Sequence, residues 1–137
     1  MNNILKRTGV LLALATVGIG LAHAELVVVV NAKSSVSSMT AAEVADVFLG
    51  RNNSLSPIDL PDAAPQKADF YSKVAGKDNA QVKAIWSRLV FTGKSQPPKE
   101  VATSADAVKQ VASNEKAIAY VDKSAVDASV KTVLTVN

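Results

Sequence analysis

Residues 26–30 read Leu-Val-Val-Val-Val, an unbroken apolar run in which four of the five side chains are β-branched. A strand with one wet face alternates apolar and polar residues, because successive side chains point to opposite sides. Five apolar residues in a row leave no side for water, so this strand must be covered on both faces. The run therefore demands a sheet with helices above and below it. Its composition is that of a strand in the middle of a parallel sheet.

The rest of the chain supplies those helices. Thr40-Ala41-Ala42-Glu43 has the form of a capping box, in which the Thr hydroxyl accepts from a first-turn N–H and Glu43 reaches back to the cap. Met39 and Val44 are spaced as the accompanying hydrophobic staple. This helix buries Val44, Val47 and Phe48 and stops at Gly50. A short strand is predicted over residues 56–60. Pro65 suits the first position of a helix, where its missing N–H is not needed, and that helix carries Phe70, Tyr71 and Val74 to a stop near Gly76. Residues 79–91 place Val82, Ile85, Trp86, Leu89 and Val90 at i, i+3, i+4, i+7 and i+8, the stripe of an amphipathic helix. Thr92-Gly93 closes it, and Pro97-Pro98 forces residues 94–98 into an extended loop. A last helix over 104–113, capped by Thr103 or Ser104, turns Ala107, Val108 and Val111 inward. Strands over 117–121 and 130–136 complete an α/β pattern. The expected fold is a single three-layer lobe, a mostly parallel sheet with helices on both faces.

Residues 1–24 read as a cleavable signal peptide. Lys6 and Arg7 form a positive start, a charge-free apolar run spans 9–21, and Ala22-His23-Ala24 is a small-x-small cleavage pattern. The run is shorter than the roughly 20 residues a membrane-spanning helix needs. Export to the periplasm is therefore expected, with residues 25–137 as one domain and no membrane attachment after leader removal. His23 is the only histidine and the chain has no cysteine, so the exported part has neither. Of the 15 basic residues, Lys6 and Arg7 leave with the leader, so 13 face 12 acidic ones. Without a basic run or a basic-aromatic stripe, nucleic acid is not an expected partner.

The same composition disfavours an enzyme. A histidine-dependent triad is impossible, no Ser sits in a Gly-x-Ser-x-Gly setting, and there is no Gly-rich phosphate-binding motif. Asp59 with Asp62, or Asp122 with Asp127, are spaced as paired carboxylates, but acids this close to turns are read as caps and solvated loops. No catalytic residue, metal site or cofactor is expected. Three loops have the donors an oxyanion needs. Residues 31–38 follow the first strand and offer Ser34 and Ser35, and ligands of open α/β sheets lie beyond the carboxyl ends of strands. Residues 64–67 begin a helix, whose free N–H groups attract negative charge, and add Gln66 and Lys67. Thr92-Gly93-Lys94 adds a hydroxyl and a cation.

Three segments resemble a known family. Met39-Thr40-Ala41-Ala42-Glu43-Val44-Ala45-Asp46-Val47-Phe48-Leu49-Gly50 is similar to a helix with an FLG ending in phosphate-type periplasmic binding proteins. Trp86-Ser87-Arg88-Leu89-Val90-Phe91-Thr92-Gly93, followed by Gln96-Pro97-Pro98, resembles a short single-domain branch of them. Ala117-Ile118-Ala119-Tyr120-Val121-Asp122 resembles their GAIGYV strand. The resemblance implies a lobe of the type II periplasmic binding fold and the role of substrate-binding component of a phosphate ABC transporter. A phosphate-like oxyanion would be the ligand, with an ABC permease or another periplasmic protein as partner. One departure stands out: where the family grips phosphate with Ser-Gly-Thr, this chain has Ala64-Pro65-Gln66. Losing one charge-assisted donor to a buried oxyanion costs roughly 1.5–3 kcal/mol. The exported length is about one lobe, so closure around a ligand is not expected within a monomer. The alternative expectation is a periplasmic interaction or sensory accessory module that retains the lobe and has lost the phosphate pocket.

Overall fold

The computed structural model describes residues 25–93 and 95–137, so the leader read over residues 1–24 and Lys94 lie outside the described residues. The elements follow in the order β1 (Leu26–Asn31), α1 (Ala41–Phe48), β2 (Ser56–Asp59), α2 (Pro65–Phe70), α3 (Asn79–Phe91), β3 (Lys99–Glu100), α4 (Ser104–Ala112), β4 (Ala117–Asp122) and β5 (Val130–Val136). A π-helical turn, Tyr71–Ala75, prolongs α2 and ends on Gly76 in the left-handed conformation, and a 3-10 turn, Lys123–Ala125, follows β4.

The five strands form one sheet in the order β3-β2-β4-β1-β5. β2 pairs in parallel with both β3 and β4. β1 lies between β4 and β5 and runs antiparallel to both, so four strands point one way and β1 the other. All six residues of β1 are buried. The apolar run thus marks burial on two faces, as expected, while its parallel pairing is corrected: side chains that stand above and below a sheet carry no information about which way the neighbouring strand runs. β3, with two exposed residues, lies just beyond the loop expected over 94–98 and was not foreseen.

The pleat divides β1 between two cores. Leu26, Val28 and Val30 face α1, α2 and α3, together with Ile118 and Tyr120 of β4. Val27 and Val29 face α4, which brings Ala107, Val108 and Val111 against Ala117, Ala119 and Val121. Three layers result. The capping box of α1 is present, with Glu43 N–H to Thr40 Oγ1 at 3.1 Å and Thr40 N–H to Glu43 Oε1 at 2.8 Å. Asp78 and Gln81 build a second one on α3. Trp86 is a core residue whose Nε1 donates to the Phe48 carbonyl at 2.9 Å, tying α3 to the end of α1. There Gly50 is required twice over: its φ is +80°, and a Cβ would meet Leu89 Cδ1 at 2.7 Å. Val90, expected on the inner stripe of α3, is 49% exposed, and the buried residues of that helix are Val82 and Trp86. Among the described residues no helix is long and apolar enough to cross a membrane.

Candidate functional site

β2, β3 and β4 end together at one rim of the sheet, and each ends in an acid: Asp59, Glu100 and Asp122. Because β1 runs the other way, its start lies there too, with Leu26 paired to Asp122 and Glu25 just before it. Lys123 Nζ pairs with Glu25 at 3.2 Å.

Asp59 is the buried member, its side chain 8% exposed. Lys67 and Tyr71 are four residues apart, so α2 and its π turn bring both to the side that faces Asp59. Tyr71 Oη donates to Asp59 Oδ2 at 2.8 Å. Tyr120 reaches it from β4, its hydroxyl donating to Asp59 Oδ1, which also accepts the Leu60 N–H at 2.9 Å. Lys67 Nζ lies 3.8 Å from Asp59 Oδ2 and donates to Asp62 Oδ1 at 2.8 Å. Phe48 and Phe70 enclose the cluster; Phe70 stacks on Tyr120 with centroids 4.1 Å apart. Burial, then the Asp59 charge, pushes both phenols far above their ordinary value of 10. The Lys67 hydrogen bond and charge hold the exposed Asp62 carboxyl below its ordinary value. Reading Asp59 as a turn or surface acid is therefore wrong, whereas it fits Asp62. The available clue was position, since Asp59 stands between Ile58 and Leu60 at the inner end of a strand, where a charge is buried only with partners.

The five described oxyanion candidates do not converge. Ser34 and Ser35 follow the antiparallel β1, which puts them beyond the amino ends of the other four strands, at the opposite rim from Gln66 and Lys67. The carboxyl-end argument for this loop fails because it holds for strands of one direction. Ser34 Oγ accepts the Val36 N–H at 3.1 Å, and the loop's first residue, Asn31, donates from Nδ2 to the Val111 and Ala112 carbonyls at the end of α4. Gln66 reaches the acidic rim, where its Nε2 donates to Asp122 Oδ2 at 3.0 Å. Lys67 is 9% exposed and held by Asp59 and Asp62. Thr92 Oγ1 turns back to the Leu89 carbonyl at 2.9 Å. Lys94 is outside the described residues. Asp122 also donates its N–H to Ser104 Oγ at 3.0 Å, and its Oδ1 is buried with no hydrogen-bond partner among the described residues.

Two depressions open on this rim. One, of about 890 Å³, runs past Gln66, Asp69, Lys73 and Asp122. The other, of about 640 Å³, is a groove with α3 as one wall and the ends of β2 and β3 as the other. Val82 and Trp86 floor it, and Val90, Phe91 and Pro97 line its apolar rim. Among the described residues, no group of three or more His, Cys, Asp or Glu side chains is arranged to hold a metal ion.

The layers and the sheet order define a three-layer α/β lobe with helices on both faces of one five-stranded sheet. In particular, the chain has the fold seen in half of several solved phosphate-transport proteins. One is described as a phosphate ABC transporter substrate-binding protein, with bound phosphate, from Clostridium perfringens: TM-score 0.64 and 18% identity, over 80% of this chain and 44% of that one. An ABC-type phosphate transport receptor from Vibrio cholerae gives 0.63 and 15% over 80% of this chain and 45% of that one. PstS from Borrelia burgdorferi gives 0.62 and 8% over 81% and 47%. The chain thus spans about half the length of these proteins. No family model matches the chain, and no curated protein matches it in sequence.

Proposed function

We propose that this chain is a non-enzymatic binding module of the solute-binding type, working in the periplasm, that has no self-sufficient phosphate pocket and acts by docking on a protein partner. One observation carries the reading: each described donor that sequence assigns to an oxyanion is either committed within the chain or at the wrong rim. Gln66 serves Asp122, Lys67 serves Asp59 and Asp62, Thr92 serves Leu89, and Ser34 lies at the far end of the sheet. An incoming dianion must displace a carboxylate to obtain any of the first two.

The second reading is binding of phosphate or a similar oxyanion as the substrate-binding component of an ABC transporter. It is supported by the likeness in fold to proteins described as phosphate receptors, one with phosphate bound. Calorimetric titration of the protein with phosphate, sulfate and a phosphonate separates the two. Dissociation constants weaker than about 1 mM for all three are expected. Micromolar phosphate binding that disappears in a Lys67→Ala, Lys94→Ala double variant would overturn the docking reading.

A further inference from the structure

Phe91 is 91% exposed at the last position of α3, beside the half-exposed Val90 and next to Pro97. A lone surface phenyl ring needs no explanation, but this one stands on the lip of an apolar groove floored by Val82 and Trp86. The groove's two walls also differ in charge at their exposed ends. Lys83 stands on the helical wall and Glu100 on the strand wall; Lys83 acts at a distance on the exposed Asp62, but among the described residues neither has an ion-pair partner within 4 Å.

We infer that the occupant of this groove is a second copy of the chain. A two-fold interface is made by one surface facing itself, so residue i meets j while j meets i, and that surface must supply both halves of every complementary pair. This one does. Phe91 is the projection and the Val82–Trp86 floor the recess; Lys83 is the cation and Glu100 the anion. Phe91 of each copy enters the groove of the other, and Lys83 of each faces Glu100 of the other. The ring then sits in the desolvated centre with the ion pairs at the margin, the arrangement in which aromatic side chains dominate binding. A basic or acidic partner protein would satisfy only one of the two rim charges. The inference stands apart from the reading of function: a monomer overturns it and leaves docking on another protein open, while tight phosphate binding overturns that reading and leaves the dimer.

The test is the mass in sedimentation velocity, over a concentration series, of protein purified after expression of the full chain. The expected result is a dimer that dissociates on dilution. Phe91→Ser, which removes an exposed side chain and leaves the monomer's fold intact, weakens association by at least about thirtyfold. Lys83→Glu and Glu100→Lys each weaken it about tenfold, and the double reversal restores it. A monomer throughout, a dimer indifferent to Phe91→Ser, or a double reversal no tighter than the single ones overturns the inference.

Discussion

Replacing Asp59 by Asn is the sharpest probe of what holds the rim together. The substitution keeps volume, so no cavity term enters. It removes the charge that accepts from two tyrosine hydroxyls and the Leu60 N–H, with the Lys67 ammonium 3.8 Å away. Hydrogen bonds to a charged group contribute about 1.5–3 kcal/mol each. An asparagine carbonyl retains one hydroxyl, while its amide turns two hydrogens toward the other, so about 2–4 kcal/mol is lost, a large share of a domain's 5–15. For a domain of this size that lowers Tm by roughly 10–20 °C. Trp86 is the chain's single tryptophan and is buried, which makes its fluorescence in urea a reporter of the same core. In a cycle with Tyr71→Phe the two losses should overlap rather than add. Asp62→Asn, at the exposed end of the same chain of charges, should leave the midpoint nearly unchanged. An Asp59→Asn midpoint equal to or above that of the unsubstituted protein, with an unchanged urea slope, would refute the assignment of Asp59 as the organising acceptor.

Two further outcomes are expected. Tyr71 and Tyr120 are the only tyrosines, and both stay protonated in the folded state far above pH 10, whereas an unfolded tyrosine ionises near 10. Their contribution is fully present below pH 10 and is lost as pH rises beyond it, so tyrosinate absorbance should appear in one step together with unfolding; a gradual rise near pH 10 with Trp86 fluorescence unchanged would contradict this. Cleavage after Ala24 would put Glu25 at the N-terminus of periplasmic protein by mass spectrometry, and full-length chain retained in the membrane fraction would overturn export.

Where sequence legibility ended depended on how far apart the interacting residues lie. The boundaries of α3 and β5 and the cap of α1 are set by residues within one turn or one pleat, and they fall where the sequence puts them. The direction of β1 depends on pairing with β4 and β5, roughly a hundred residues along, and an all-apolar strand is equally content with either direction. β3 has two residues, Lys99 and Glu100, with no apolar side chain to mark it; only its ladder to β2 makes it a strand. At the site, the helix start at Pro65 was legible, and it is what carries Gln66 and Lys67 to this rim. What occupies the Gln66 amide was not legible, because it meets Asp122 56 positions away, and the burial of Asp59 depends on Tyr120 at a separation of 61.

The rim is held together by side chains from three elements. Gln66 from α2, Ser104 from the start of α4 and Asp122 at the end of β4 form one hydrogen-bonded chain. These bonds fasten three elements to each other. Long-range charge acts against a small anion here. A dianion held about 6 Å from one carboxylate in a water-like dielectric is opposed by roughly 1.4 kcal/mol, a tenfold loss of affinity. Lys123 offsets Glu25, and Lys67 offsets Asp59 and Asp62, but Asp122 and Glu100 have no ion-pair partner within 4 Å among the described residues. With this balance the rim repels small anions weakly, since among its described cations Lys67 and Lys123 are paired with acids and Lys83 stands on the groove wall opposite Glu100. What the groove offers a partner is shape and apolar surface, centred on α3 and the ring of Phe91, with Lys83 and Glu100 as the charges on its two walls.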